Sequence, residues 1–256
     1  MATQIDVRVI AKGGKYLGDD IGGALVTVHD ARTGELLAKG STAGGSGEQT
    51  LMKTCVTRSE VLPIEGASVF TASLDLDGPR LVRVTAYGPL AAPQSANTAS
   101  LTQWVSPGRD VTGGAQGGGF LLEIPGLMVQ ILNPPTHFLP RTAPAQVEIR
   151  ANVTMMCGCP IGVQPWDPSL FEVSAKIKSG DSYKAEFPLA FVPVAEAPSG
   201  APSQFKADWD VPQNTSGQAQ IYEITVTAFQ QLTGNTGVDR ATLIVPVPPP
   251  PPATRA

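Results

Sequence analysis

The segment Met155-Met156-Cys157-Gly158-Cys159-Pro160 concentrates soft sulfur donors within six residues. Thiolates and thioethers select copper(I) or zinc among the common metals. If the strand leading into the segment continues through it, Met155, Cys157 and Cys159 project to one face, where two thiolates and a thioether could hold a copper ion. His29 and His137 are the chain's two histidines, and nothing in the sequence brings either near. A zinc site would want four ligands, usually with a second Cys/His pair at short spacing, and no such pair is present. The same residues have plainer readings. Val153, Met155 and Cys157 can continue a buried face, since a free cysteine packs as a small hydrophobe. Cys-Gly-Cys before proline also suits a strand-ending turn or bulge. A Cys157–Cys159 or Cys55–Cys159 disulfide is a third option. Three cysteines allow one internal bridge at most, so this is no disulfide scaffold.

Other constellations are thinner. Trp104 and Trp166, with Trp209, could form a platform for stacking sugar rings; the alternative is that they plug a core. Asp19-Asp20 could supply half of a calcium loop, but no run of alternating aspartates completes it. Asp208 and Asp210 flank Trp209 and read as a solvated sheet face. No Gly-x-Ser-x-Gly elbow accompanies the two histidines, so nucleophilic catalysis has no visible machinery. The glycine run at 113–119 lacks the Gly-Lys-Ser/Thr ending of a phosphate-binding loop. Catalytic residues are therefore none, and no cofactor is called for beyond the possible copper ion.

Those residues need a scaffold, and composition says which kind. Of 256 residues, 27 are glycine and 24 proline. Together they make about a fifth of the chain, against about 12% in an average protein. Charged residues are 16%, well below the ordinary share of about 25%. Exposed helices need charge and exclude glycine and proline, so the composition argues against a helical bundle and against an alternating βα enzyme. Hydrophobic residues at 42% are enough for real cores. The net charge of -4 and the dispersed basic residues argue against nucleic-acid binding. No apolar run is long enough for a membrane-spanning helix.

Periodicity supplies the elements. Ile5–Ile10, Ala24–Asp30, Leu36–Gly40, Ser68–Leu76, Leu81–Tyr87 and Phe120–Pro125 read as strands of a first unit. Gly88–Gly119 reads as loose, with Trp104 its one large apolar residue of note. The second half holds the clearest signal in the chain. Over Gln146–Cys157, Val147, Ile149, Ala151, Val153, Met155 and Cys157 alternate with Gln146, Glu148, Arg150, Asn152 and Thr154. Phe171–Ile177, Tyr183–Val192, Phe205–Val211, Ile221–Phe229 and Asp239–Val245 follow, separated by turn-forming residues. The expected division is 1–126, 127–247, and a proline-rich tail at 248–256 that should be extended.

Two resemblances sharpen this. Gly22-Gly23-Ala24-Leu25-Val26-Thr27-Val28-His29-Asp30, then Thr33-Gly34-Glu35, Gly40-Ser41-Thr42 and Gly45-Ser46-Gly47-Glu48, resemble carboxypeptidase regulatory-like (transthyretin-like) β-sandwich modules. Val129-Gln130-Ile131-Leu132-Asn133-Pro134, with Tyr222–Ala228 and Gly234-Asn235-Thr236-Gly237, resemble the first strand and last hairpin of bacterial immunoglobulin-like domains. Cys157 stands near the usual second-strand cysteine, but Tyr222–Phe229 holds no partner cysteine, so the inter-sheet disulfide is absent. The resemblances imply an all-β chain of two tandem antiparallel sandwiches. They also imply a non-catalytic binding or structural module of the cell envelope, periplasmic or extracellular, with a protein or glycan partner. The start of the chain carries no basic-plus-apolar leader, which fits a mature exported chain as well as a cytoplasmic one. A copper(I) or zinc carrier using Met155, Cys157 and Cys159 is the alternative.

Overall fold

The computed structural model describes residues 1–48, 64–113, 119–140, 145–163, 165–197 and 200–247. Cys55, most of the glycine run and the proline-rich tail lie outside them. The chain forms two tandem β-sandwiches. The first strand, β1 (Ala2–Ala11), buries Ile5, Val7 and Val9 along its period-two face. It lies between β5 (Ala67–Asp75) and β8 (Phe120–Ile124), and β4 (Ala43–Ser46) completes that sheet beyond β5. The second sheet is built from β2 (Leu25–Asp30), β3 (Leu36–Ser41), β6 (Arg80–Gly88) and β7 (Asn97–Val105), in the order β3-β2-β6-β7. Among the described residues every ladder is antiparallel except β1 with β8.

After Pro125-Gly126 the chain enters new sheets. One contains β9 (Leu127–Asn133), β10 (Ala145–Met155), β13 (Ala190–Val192) and β14 (Gln204–Val211), ordered β13-β14-β10-β9. The other contains β11 (Phe171–Ser179), β12 (Ser182–Pro188), β15 (Gln220–Gln230) and β16 (Asn235–Val245), ordered β12-β11-β15-β16. The inner face of β10 carries Val147, Ile149, Ala151, Val153 and Met155, all buried, as its alternation requires.

Three sequence expectations are corrected. Gly88–Gly119 is not uniformly loose, because β7 crosses it as a nine-residue edge strand. Its outward residues Thr98, Ser100, Thr102 and Trp104 are exposed, and of its inward ones only Val105 is fully buried. An edge strand half-covered by the core lacks strong apolar alternation, and its ladder with β6 supplies what the pattern does not. The segment 183–192 is two strands. The chain breaks at Pro188-Leu189 and passes from pairing with β11 to pairing with β14. Lastly, β10 ends at Met155, two residues short of the predicted Cys157.

The two sandwiches share one continuous hydrophobic core, which runs from Val9 and Ala11 through Ile21 and Leu127 to Met156, Trp166 and Val226. Polar groups, most of them buried, bind the joint. Asn235, 1% exposed, accepts from the Gly126 N–H at 2.9 Å and donates to the Lys12 carbonyl at 2.9 Å. Ser95 Oγ accepts from the Val129 N–H at 3.1 Å, and Asn97 donates to the Pro125 carbonyl at 2.9 Å. Within the second sandwich, where β16 meets β9, Gly237 lies so close to the Leu127 backbone that a Cβ there would overlap its carbonyl oxygen.

Candidate functional site

The sulfur-rich segment lies at this junction. Because β10 stops at Met155, residues 156–159 form a turn. Gly158 N–H donates to the Met155 carbonyl at 2.8 Å, and Met155 N–H donates to the Cys159 carbonyl at 3.0 Å. Gly158 takes φ +78°, a left-handed conformation that glycine adopts without steric cost. The condition for a single strand face bearing Met155, Cys157 and Cys159 is therefore not met. The turn packs beneath residues 13–15 of the first sandwich instead. Cys157 Sγ would lie 3.0 Å from a Cβ built on Gly14, and the Met155 methyl 3.8 Å from one built on Gly13. Met155, Met156 and Cys157 are fully buried and Cys159 nearly so.

Cys157 and Cys159 are free thiols, and the Cys159 thiol donates to the Cys157 carbonyl at 4.0 Å. The neighbouring Cys159 thiol, aided by the Lys15 backbone N–H and ammonium, holds Cys157 down at about 7 against the opposing effect of burial. The proximity of Cys157, with burial, pushes the Cys159 thiol upward. The pair thus shares protons, with Cys157 the acidic member. Neither His29 nor His137 joins it: no group of three or more His, Cys, Asp or Glu able to hold a metal occurs among the described residues.

The tryptophans part company. Trp166 is 6% exposed, and its indole N–H donates to the Gly13 carbonyl at 3.2 Å. It plugs the junction and has no open face for a ligand, which corrects its candidacy as a binding residue. Trp209 is buried edge-on against Tyr222, with ring centroids 5.2 Å apart. Trp104 is 54% exposed on the outer face of the first sandwich, with the Arg32 guanidinium 5.0 Å from its ring centroid. Of the three it alone could stack on a ligand.

The acidic candidates have structural work. Asp19 accepts from the Gly44 N–H through both oxygens at 3.0 Å. Asp210 faces Gln146 at 3.4 Å across the β10–β14 ladder. Sequence reading missed Asp30, a buried carboxylate at the end of β2 that accepts from the Arg32 and Thr33 N–H groups at 2.8 and 2.9 Å and from Arg80 at 3.2 Å. Those backbone bonds hold it below the ordinary aspartate value of 3.8. Its signal was the Asp30-Ala31-Arg32-Thr33-Gly34 turn itself, since aspartate caps such turns.

No known protein family matches the chain, and no curated protein does. Among solved structures, the full-length major pilin SpaD from Corynebacterium diphtheriae aligns at 10% identity and a TM-score of 0.28, covering 94% of this chain. The chain spans 66% of the length of that pilin.

Proposed function

We propose that this chain is a non-catalytic structural or binding module of the cell envelope, built as one rigid double sandwich. The observation that carries this reading is the junction. Tandem domains in one chain ordinarily meet through modest, fairly polar interfaces that permit relative motion. Here the core runs through without a break, and buried side chains fasten the joint from both sides. A body that keeps its shape under load is what a spacer or surface element needs. The strand order of the second half supports its immunoglobulin-like reading, since β9-β10-β14-β13 opposite β12-β11-β15-β16 corresponds to the ABED and C′CFG sheets of that fold. Paired four-stranded sheets in the first half suit a transthyretin-like module. Placement in the envelope rests on those module types, and Trp104 is the residue we assign to ligand contact on the outer face.

Differential scanning calorimetry tests the rigid-unit claim. One cooperative transition, with calorimetric and van't Hoff enthalpies equal, is expected; two resolved transitions would overturn it. Protease treatment of intact source cells tests the compartment: digestion of the chain before lysis is expected if it is surface-exposed, and after outer-layer permeabilisation if it is periplasmic. Protection until complete lysis would place it inside the cell.

A soft-metal carrier is the second reading, and it rests on the two free thiols Cys157 and Cys159 that the turn sets side by side. Burial under Gly13 and Gly14 closes the route to it, so this reading requires the junction to open. Stoichiometric copper(I) or zinc uptake by the native chain, lost in Cys157→Ser and Cys159→Ser, is its expected result.

A further inference from the structure

The face of β10 opposite the core carries Asn152 and Thr154. Register places Asn152 directly across from Gln130 on β9 and from Gln204 on β14. Three carboxamides therefore stand in a row across three adjacent strands. Arg150 Nη1 donates to Gln204 Oε1 at 2.7 Å, and Arg150 is itself neutralised by Glu148 at 2.8 and 2.9 Å. Beside the row, Thr154 is 8% exposed, and its buried hydroxyl has no hydrogen-bond partner. A buried hydroxyl left unpaired costs free energy, so an orphan at a cavity wall calls for an explanation.

Two cavities meet at these residues. One, of about 270 Å³, extends toward the first sandwich between Ile21, Ala91, Ala92 and Met128. The other, of about 430 Å³, extends past the sulfur-rich turn between Leu132, Pro160, Ala201 and Pro202. Gln130, Asn152 and Thr154 line both. Among the described residues that line them, none is charged and none is aromatic.

We propose that this groove binds a short, uncharged, extended peptide segment of a partner protein. Its main-chain amides pair with Gln130, Asn152 and Gln204, and one of them takes up the Thr154 hydroxyl. Each carboxamide both donates and accepts, which matches the alternating N–H and C=O of an extended chain. Adjacent strands lie about 4.8 Å apart, so the row spans roughly 10 Å, about three extended residues. The wells at either end take side chains of alanine, valine or proline size. Absence of charge selects a neutral occupant, and absence of an aromatic ring removes the stacking surface on which a sugar would be gripped. The proposal adds a ligand class to the reading of the chain as a rigid binding module and rests on it. The two fail separately, because the calorimetric test of rigidity is indifferent to whether the groove is filled.

The test uses the full chain against an array of N-acetylated, C-amidated octapeptides of Ala, Val, Pro, Ser, Thr and Gly. Counterparts carry a central Asp or Lys, and neutral oligosaccharides form a parallel array. Thr154→Val keeps the shape and removes only the hydroxyl; Asn152→Leu breaks the row. Retention of neutral peptides is expected, weakened at least tenfold by either variant and by a central charge. Thr154→Val should leave Tm unchanged or raise it, because the hydroxyl it removes is unpaired. Failure to retain any neutral peptide, equal retention by Thr154→Val, or retention of oligosaccharides alone would overturn the proposal. So would a fall in Tm for Thr154→Val, which would mean that the hydroxyl is already satisfied in the free protein.

Discussion

The junction and the far rim of the first sandwich both hold buried or half-buried polar groups, yet they are built on opposite terms. At the rim, Arg80 reaches Asp30 at 3.2 Å, Glu35 at 3.0 Å and Asp77 at 3.4 Å. Asp77 is almost fully exposed and Arg80 partly so, so water and salt screen most of what these charges contribute. At the junction no ion pair is needed. Asn235, Trp166 and Ser95, all buried, each close a specific backbone group, and glycines set the approach distance. The comparison teaches that the joint is held by neutral, directional bonds and missing Cβ atoms, while charge decorates the outer end.

Substitutions can break or sharpen this contrast. Gly237→Ala should have the largest effect, a loss of about 3 kcal/mol in chemical denaturation, because the new methyl meets Leu127 backbone that cannot swing aside. Asn235→Ala should follow at about 2 kcal/mol, since it orphans the Gly126 N–H and the Lys12 carbonyl together. If Asn235→Ala, which cuts the bond across the joint, unfolds in two steps while Gly237→Ala, which strains the second sandwich internally, unfolds in one, the joint is the origin of the cooperativity.

The third prediction concerns pH. Cys157 is lowered to about 7 in the folded chain against 9.0 when free. Between those values the unfolded chain binds more protons, so stability from this group rises from pH 7 to 9 and is lost as pH falls through 7. Cys159 is raised, so the folded chain holds its proton longer, and that contribution falls away above pH 9. Urea midpoints measured across this range should trace a rise in the parent that Cys157→Ser flattens.

The rim should respond least. Asp30 lies below its ordinary value through backbone N–H bonds, so its contribution is present above pH 3.8 and lost as acidification passes through the lowered folded value. Asp30→Asn should shallow the acid limb of the stability profile by lowering the neutral plateau a little toward the acid value, which itself stays nearly where it was. Added salt should shift the rim variants and leave Asn235→Ala unmoved; equal salt responses would erase the distinction between the two regions.

Much of this architecture was legible in the residues. The alternation of Val147 through Met155 predicts a strand with one buried face, because side chains on a strand alternate whatever it packs against. Turn residues such as Thr33-Gly34 and Lys178–Asp181 predict where strands reverse, because their backbone preferences are local. Glycine and proline excess excludes helices for the same reason. Other features depend on neighbours far away in sequence. A pattern says that a face is buried but not what covers it, so it could not tell that Trp166 would seal against Gly13 while Trp104 stayed exposed. Nor could it find β7, whose hydrogen bonds come from β6 and not from its own apolar residues. The sulfur segment continues the alternation of a strand and equally suits a strand-ending turn; the hydrogen bonds around Met155 decide for the turn, where Cys159 first and Lys15 second lower Cys157. The row of Gln130, Asn152 and Gln204 exists only through register between strands about 20 to 50 residues apart. Local chemistry determined the strands and turns; long-range packing decided which of their side chains meet.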